Sequence, residues 1–264
     1  MRTVVWWMLM GFVSAASAAD LSRSLGTYAV LGFESVDVRA GVHVASGDVA
    51  ANRGTVTLGP GARVDGTVAA STVQLARTAR VGGLFCDLVE GRVDATCGNV
   101  ATPVVTATLP LVQVVAGSDA VAVPARAATA PLLPGAYADV TVGAGARLYL
   151  AGGHYAVRSL RVRTAGRLLC LAPCAIAVRE QVRIGRRARL AAGSPADGRL
   201  LRIDVETGGP TAAFKAAPGA RVAATVYAPN GSVVLGAGGK FTGAFVGRTM
   251  VIRSGAQLVV ASGF

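Results

Sequence analysis

A three-residue motif recurs along the chain at intervals near 20 residues, and the spacings between neighbouring copies include 17, 20 and 22 residues. Each copy has a small residue, then a polar one, then Val or Leu, and the strands around it are apolar at alternate positions. Glycine permits corner conformations, and alternation sends every second side chain inward, so this period predicts a coil of short strands. We therefore expect an all-β fold, a parallel β-solenoid of the right-handed β-helix type, with turns of about 17–22 residues. The copies are Ala62-Arg63-Val64, Ala79-Arg80-Val81, Ala146-Arg147-Leu148, Gly166-Arg167-Leu168, Ala188-Arg189-Leu190, Ala220-Arg221-Val222 and Ala256-Gln257-Leu258.

An antiparallel β-sandwich or barrel is the competing architecture. The dipeptide Asn230-Gly231 is a good hairpin signal and supports it. Regular repetition near 20 residues without paired hairpin turns favours the parallel coil instead.

The repeat divides the chain into four parts. Residues 1–18 are predicted to be a signal peptide, residues 19–97 an N-terminal solenoid segment and residues 135–264 a C-terminal one. Between the segments, residues 98–134 lack the glycine-punctuated pattern and are predicted to form a loop or excursion, because proline is excluded from central strands. The prolines of that stretch are Pro103, Pro110, Pro124, Pro131 and Pro134. Whether the two segments stack into one continuous coil stays open at this stage.

The N-terminus has the pattern of an export signal. Arg2 precedes an apolar run, and Ala16-Ser17-Ala18 supplies small residues for cleavage after Ala18. No later segment offers 18 uninterrupted apolar residues, so we expect no transmembrane span after removal of the signal. The predicted location is secreted, at the cell surface or in the periplasm.

Four cysteines in an exported chain indicate disulfides. Sequence proximity pairs Cys86 with Cys97 and Cys170 with Cys174, although three connectivities are formally possible. The second pair needs a bend at Ala172-Pro173, because four residues of straight strand hold the α-carbons roughly 13 Å apart. Neither pair has a histidine nearby, and we predict no metal site and no cofactor.

Arginine supplies almost all of the positive charge. The chain has 26 Lys and Arg against 14 Asp and Glu, a formal net charge of +12, and only two of the cations are lysines. If the repeats stack turn on turn, Arg147, Arg167 and Arg189 form a ladder, and Arg63 with Arg80 form another. Such a ladder predicts contact with an anionic polysaccharide or other envelope polymer. The alternative is a set of solvated corner residues without a partner.

Catalytic signatures are weak in this chain. Acidic residues are sparse, and the best constellation is His43 with Asp48 and Arg53, which we interpret as exposed polar positions. Arg202, Asp204 and Glu206 alternate on one strand and are interpreted as a solvated face. We therefore predict a non-enzymatic structural or adhesive protein, with self-association as a further option. A carbohydrate-active or carbohydrate-binding β-helix is the alternative function. Nucleic acid is disfavoured as a partner, because the arginines lack interleaved exposed aromatic residues.

Two phrases carry a family resemblance. Tyr28-Ala29-Val30-Leu31-Gly32, followed by Ser46-Gly47-Asp48-Val49-Ala50, resembles the start of the secreted ice-binding-like β-helix family. Tyr227-Ala228-Pro229-Asn230, followed by Phe241-Thr242-Gly243-Ala244-Phe245-Val246, resembles uncharacterised exported β-helix proteins of bacteria, and the polymer-forming bactofilins share their short-turn character. The resemblance implies a β-helix fold. Ice binding itself is disfavoured, because no threonine ladder follows the Thr-x-Thr sequence Thr55-Val56-Thr57.

Overall fold

The structure is a computed structural model that describes residues 25–91, 96–98, 110–193, 197–208 and 211–263. The described residues form twenty strands and one short 3₁₀ helix at Gly198–Leu200. The strands are β1 (Tyr28–Val38), β2 (His43–Val44), β3 (Asp48–Ala51), β4 (Thr55–Leu58), β5 (Arg63–Leu75), β6 (Arg80–Glu90), β7 (Val121–Val123), β8 (Gly135–Val142), β9 (Arg147–Leu150), β10 (Gly153–Val162), β11 (Arg167–Cys170), β12 (Cys174–Ile184), β13 (Arg189–Ala192), β14 (Leu201–Val205), β15 (Phe214–Ala216), β16 (Arg221–Ala223), β17 (Thr225–Leu235), β18 (Lys240–Thr242), β19 (Phe245–Ile252) and β20 (Gln257–Val259).

These strands form one parallel sheet that winds as a β-solenoid. Every pairing between the described strands is parallel. The predicted fold class is thereby confirmed, and the antiparallel sandwich is wrong. Asn230-Gly231 lies inside β17 at a register shift between Ala228 and Ser232, where it makes a corner of the coil and no hairpin.

Each coil has three strand segments, which stack into three faces. Face A contains β3, β14 and the first parts of β1, β8, β10, β12, β17 and β19, together with the middle of β5 and β6. Face B contains β4, β7, β15 and the last parts of β1, β5, β6, β8, β10, β12, β17 and β19. Face C contains β2, β9, β11, β13, β16, β18, β20 and the first residues of β5 and β6.

The coils do not stack in chain order. Strand β1 lies between β3 and β19, and β2 lies between β5 and β20, so the described part of the chain begins in the middle of the solenoid. It winds from there to β6 at one end, and it resumes at β7 at the other end and winds back to β20. The two predicted segments are therefore stacked into one continuous coil.

Residues 121–134, which fall within the predicted excursion, contribute the outermost described coil. Strand β7 pairs with β8, and isolated bridges join Ala128 to Arg147 and Leu132 to Leu150. Proline cannot donate a backbone hydrogen bond, so an end coil with strand neighbours on one side only is the position where a proline-rich segment is tolerated.

The interior is filled mostly by Val, Leu, Ile and Ala from the inward positions of all three faces. Three aromatic rings pack together within it: Phe245 lies edge-on to Phe241 with ring centroids 5.9 Å apart, and 6.5 Å from Phe214. Gly243, just before Phe245, has φ +148°, and a Cβ there would lie 1.9 Å from the carbonyl oxygen of Ala224. Glycine is required at this corner because two coils approach too closely for any side chain.

A second apolar cluster lies on the outside of face A. Leu31 and Val246 are among its fully buried members, and Val112 of the excursion packs against it. The hydroxyl of Tyr227 donates to the carbonyl oxygen of Pro110 over 2.9 Å, and the amide of Val114 donates to a carboxylate oxygen of Glu206 over 3.0 Å. Residues 110–114 therefore cross face A as a strap.

The strap corrects the prediction that Arg202, Asp204 and Glu206 form a solvated face. The side chain of Asp204 is only 22% exposed, and burial raises the pKa of its carboxyl although Arg202 Nε lies 2.9 Å from it. Sequence alternation places these residues outward correctly, but it carries no information about a distant segment that covers them.

The predicted signal peptide lies outside the described residues. Among the residues that are described, no helix is long and apolar enough to cross a membrane.

Candidate functional site

One line of polar side chains runs along face C through nearly the whole solenoid. Strand register places one residue from each successive coil in this line. We call the part from Arg147 to Arg80 the arginine stripe. In spatial order it consists of Arg147, Arg167, Arg189, Arg221, Lys240, Gln257, His43, Arg63 and Arg80.

The repeated motif explains why these side chains point outward. The small residue of each copy closes the turn and is buried, as Ala146 and Ala188 are, and the Val or Leu is also buried, as Leu148 and Leu190 are. The polar residue between two inward positions must then face solvent, because successive strand side chains alternate between the two sides. The two ladders expected from the sequence are in register and are joined into one stripe.

Two lysine or arginine members of the stripe were missed as site residues, although the sequence carried a signal for them. Arg221 belongs to the repeat copy Ala220-Arg221-Val222, and Lys240 follows the glycine pair that precedes Phe241. They extend the C-terminal ladder to five consecutive cations. At the parallel-strand spacing of ~4.8 Å, this row of five is about 19 Å long.

The five cations from Arg147 to Lys240 are exposed, and none of them forms an ion pair with another described residue. Each has a like charge on the neighbouring coil at the same position. This half of the stripe is therefore an uncompensated row of positive charge.

The other half of the stripe is compensated by a carboxylate. Asp65 lies 2.5 Å from Arg63 Nε and 2.9 Å from His43 Nε2. Hydrogen bonds from His43 and Arg63 lower the pKa of the Asp65 carboxyl below its usual value. These contacts do not join His43, Asp48 and Arg53 into one constellation. His43 pairs with Asp65, and Asp48 accepts a hydrogen bond from the amide of Thr67 over 2.8 Å.

Face B carries a different pattern, a column of hydroxyl side chains. Ser232, Thr249, Ser35, Thr55 and Thr72 occupy one outward position on five successive coils. No threonine ladder was expected after Thr55, and this column mixes serine with threonine. Its rungs come from strands far apart in the chain, and a search for repeated Thr-x-Thr sequences cannot detect it.

Both predicted disulfide pairings are confirmed. Cys86 is bonded to Cys97 with their α-carbons 5.3 Å apart, and Cys170 to Cys174 with α-carbons 6.2 Å apart. The second pair closes across a bend that contains Ala172-Pro173, as the short spacing requires. In the described ranges, no group of three or more His, Cys, Asp and Glu side chains is arranged to hold a metal ion.

Comparisons with known proteins do not assign this chain to a family. No family model matches the chain, and no curated protein matches it. Among solved structures, the chain is similar to an ice binding protein from an Antarctic biological consortium, with 12% sequence identity over 90% of this chain and 89% of that one and a TM-score of 0.36.

Proposed function

We propose that this protein is an exported, non-enzymatic β-solenoid that acts as a structural or adhesive element and binds anionic envelope polymers through the arginine stripe. The observation that carries the proposal is the row of five exposed cations from Arg147 to Lys240, which have no carboxylate partner among the described residues.

The electrostatics of this row favour a polymeric ligand. Charges on neighbouring coils repel one another, and a bound polyanion replaces that repulsion with attraction at every rung. The strands are fixed by backbone hydrogen bonds on both sides, so little conformational entropy is lost when a polymer aligns with them. A small anion would contact only one or two of these cations, whereas a linear polymer can contact all five.

Disulfides support the exported part of the proposal, because such bonds persist in oxidising compartments. The acidic residues support the non-enzymatic part. Asp65 pairs with His43 and Arg63, and Asp139 pairs with Arg158 and accepts a hydrogen bond from Ser159, so both carboxylates have structural partners. A carbohydrate-active β-helix is the alternative, and it would require turnover of a glycan by the purified protein.

The test is retention on immobilised heparin across a salt gradient. We expect a variant with Arg147, Arg167 and Arg189 changed to Ser to elute at clearly lower salt than the wild type. The matched control changes Arg179, Arg199 and Arg248 to Ser, which removes the same charge from exposed positions outside the stripe. Equal elution of the two variants would contradict the proposal.

The hydroxyl column favours one second candidate, ice binding. Regularly stacked hydroxyls on a parallel sheet form an ordered surface, and this column is about 19 Å long at ~4.8 Å per rung. Thermal hysteresis of the wild type, lost when Thr55 and Thr249 are changed to Lys, would support it. Absence of hysteresis in the wild type would exclude it.

A further inference from the structure

A second row of cations lies on face B, around the corner from the stripe. Arg161, Arg183 and Lys215 are in register on three successive coils. Arg161 and Lys215 are exposed, and Arg183 is half-buried with its Nε donating to Gln181 over 2.8 Å. This row runs parallel to the stripe, and the turn that follows each face B strand separates the two.

A groove of about 500 Å³ lies along this second row. The three cations line it together with Arg163, Gly185 and Ala217, which lie in or next to the turn. The small side chains at Gly185 and Ala217 leave a recess beside the longer cationic ones. A Cβ at Gly185 would meet the backbone of Arg163 and Thr164 at 2.6 Å, so close stacking of coils requires this glycine.

The charge around the groove is predominantly positive, and the charged side chains that line it are all cations. Residues 110–193 contain eleven arginines and three acidic residues. Among those three, Asp139 is paired with Arg158 at the corner between faces A and B, and Glu180 lies at the same corner. A concave surface lined by one sign of charge concentrates counter-ions, so the groove is more strongly cationic than an isolated row would be.

We propose that this groove is a binding site for one segment of a linear carboxylated or sulfated polysaccharide, which lies along the solenoid axis with the stripe as its second row of contacts. The inference rests on the proposed function and adds the site and the ligand class. The groove lining contains no aromatic side chain on which a nucleic acid base could stack. A polysaccharide needs only regularly placed cations and room for its rings, and the groove supplies both.

The experiment measures binding of a fluorescent heparin-derived oligosaccharide by anisotropy at several salt concentrations. Changing Arg161, Arg183 and Lys215 to Ser should weaken binding about tenfold or more, since several exposed charge contacts are lost together. The slope of log Kd plotted against the logarithm of salt concentration should decrease by up to about three. Ala217→Glu, which places a negative charge in the recess, should also weaken binding.

Two further variants and a folding control make the result decisive. The control variant of Arg179, Arg199 and Arg248 should bind within a few-fold of the wild type. A double Arg161→Lys and Arg183→Lys variant keeps the charge and should recover part of the affinity. Thermal unfolding of every variant must match the wild type within a few degrees, and Ala217→Glu provides an independent test if the triple variant is not folded.

The possible outcomes separate the two proposals. If the groove variants bind like the control while the variant of Arg147, Arg167 and Arg189 loses affinity, the groove site is wrong and the proposed function stands. If all variants bind alike, both proposals fail. If a single-stranded DNA oligonucleotide competes as well as the oligosaccharide and loses affinity in the same variants, the assigned ligand class is wrong.

Discussion

Repulsion along the arginine stripe predicts that removing one cation stabilises the free protein. Arg189 lies in register between Arg167 and Arg221, with one coil on each side. Two unit charges ~4.8 Å apart repel by about 0.9 kcal/mol at the dielectric constant of water. Two neighbours therefore give about 1.7 kcal/mol at that separation, which splaying of these exposed side chains reduces to about 1 kcal/mol at low salt.

Salt separates this repulsion from every other effect of the substitution. At about 0.01 M salt the Debye length of ~30 Å leaves the repulsion nearly intact, and at 1 M its length of ~3 Å removes most of it. For a chain of this size, 1 kcal/mol corresponds to a shift of about 2–4 °C in Tm. We expect Arg189→Ser to raise Tm by that amount at low salt and to lose the gain at high salt.

Arg63→Ser is the matched control for this measurement. Arg63 occupies the same stripe, but Asp65 lies 2.5 Å from its Nε, so its charge is already compensated. Its removal should give no salt-dependent gain in Tm. The reasoning is refuted if Arg189→Ser shows the same Tm difference at both salt concentrations, or if Arg63→Ser gains as much at low salt.

Three other predictions concern stability. Changing Cys86 and Cys97 to Ser should lower the free energy of unfolding by about 3 kcal/mol, because their separation of 11 residues sets the loop-closure entropy; an unchanged urea midpoint would contradict this. Phe245→Ala should cost about 3–5 kcal/mol, because it empties the centre of the aromatic cluster, whereas Phe245→Leu should cost less; equal costs would show that the site collapses. Burial raises the pKa of the Asp204 carboxyl in the folded protein, because the neutral form is favoured there. The stabilisation by the neutral form is complete below the pKa of the unfolded chain, and it is lost as the pH rises through the pKa of the folded protein. The stability of Asp204→Asn relative to the wild type, measured by urea unfolding, should therefore increase as the pH rises above the usual pKa of an aspartate, and a difference that is constant with pH would contradict the buried site.

The features that were predictable from the sequence are those set within one coil. A small residue before Arg147 and a Leu after it fix the outward direction of its side chain through the geometry of one turn and one strand. This direction can therefore be predicted without knowledge of the rest of the fold. The same holds for Cys170 and Cys174, whose pairing depends on a bend of three intervening residues. Local patterns of this kind predicted the solenoid, the positions of the stripe residues and the disulfides.

The features that were not predictable depend on which coils are neighbours. All coils have similar parallel strand edges, and the sequence of β1 does not indicate that it pairs with β19 rather than with a strand close in sequence. The contact between Thr249 and Ser35 follows from that pairing alone. The pairing of His43 with Asp65 and the hydrogen bond from Val114 of the strap to Glu206 are likewise contacts between segments far apart in the chain.

The order of the coils decides what each surface of the solenoid can bind. If the chain wound directly from β6 to β7, Ser35, Thr55 and Thr72 would lie at one end, and Ser232 with Thr249 at the other. The observed order instead joins these five hydroxyls into one column, because β19 stacks on β1.

The same order separates charge along the axis. Residues 25–91, with five arginines and six acidic residues, form one end, and the arginine-rich residues 110–193 form the other. Direct winding would place the mixed-sign coil of β6 beside the cationic coils, where its acidic residues would screen them. Because β1, the first described strand, lies in the middle of the solenoid, Asp65 and Glu90 are kept away from the row of five cations, so that row is not screened by their charge.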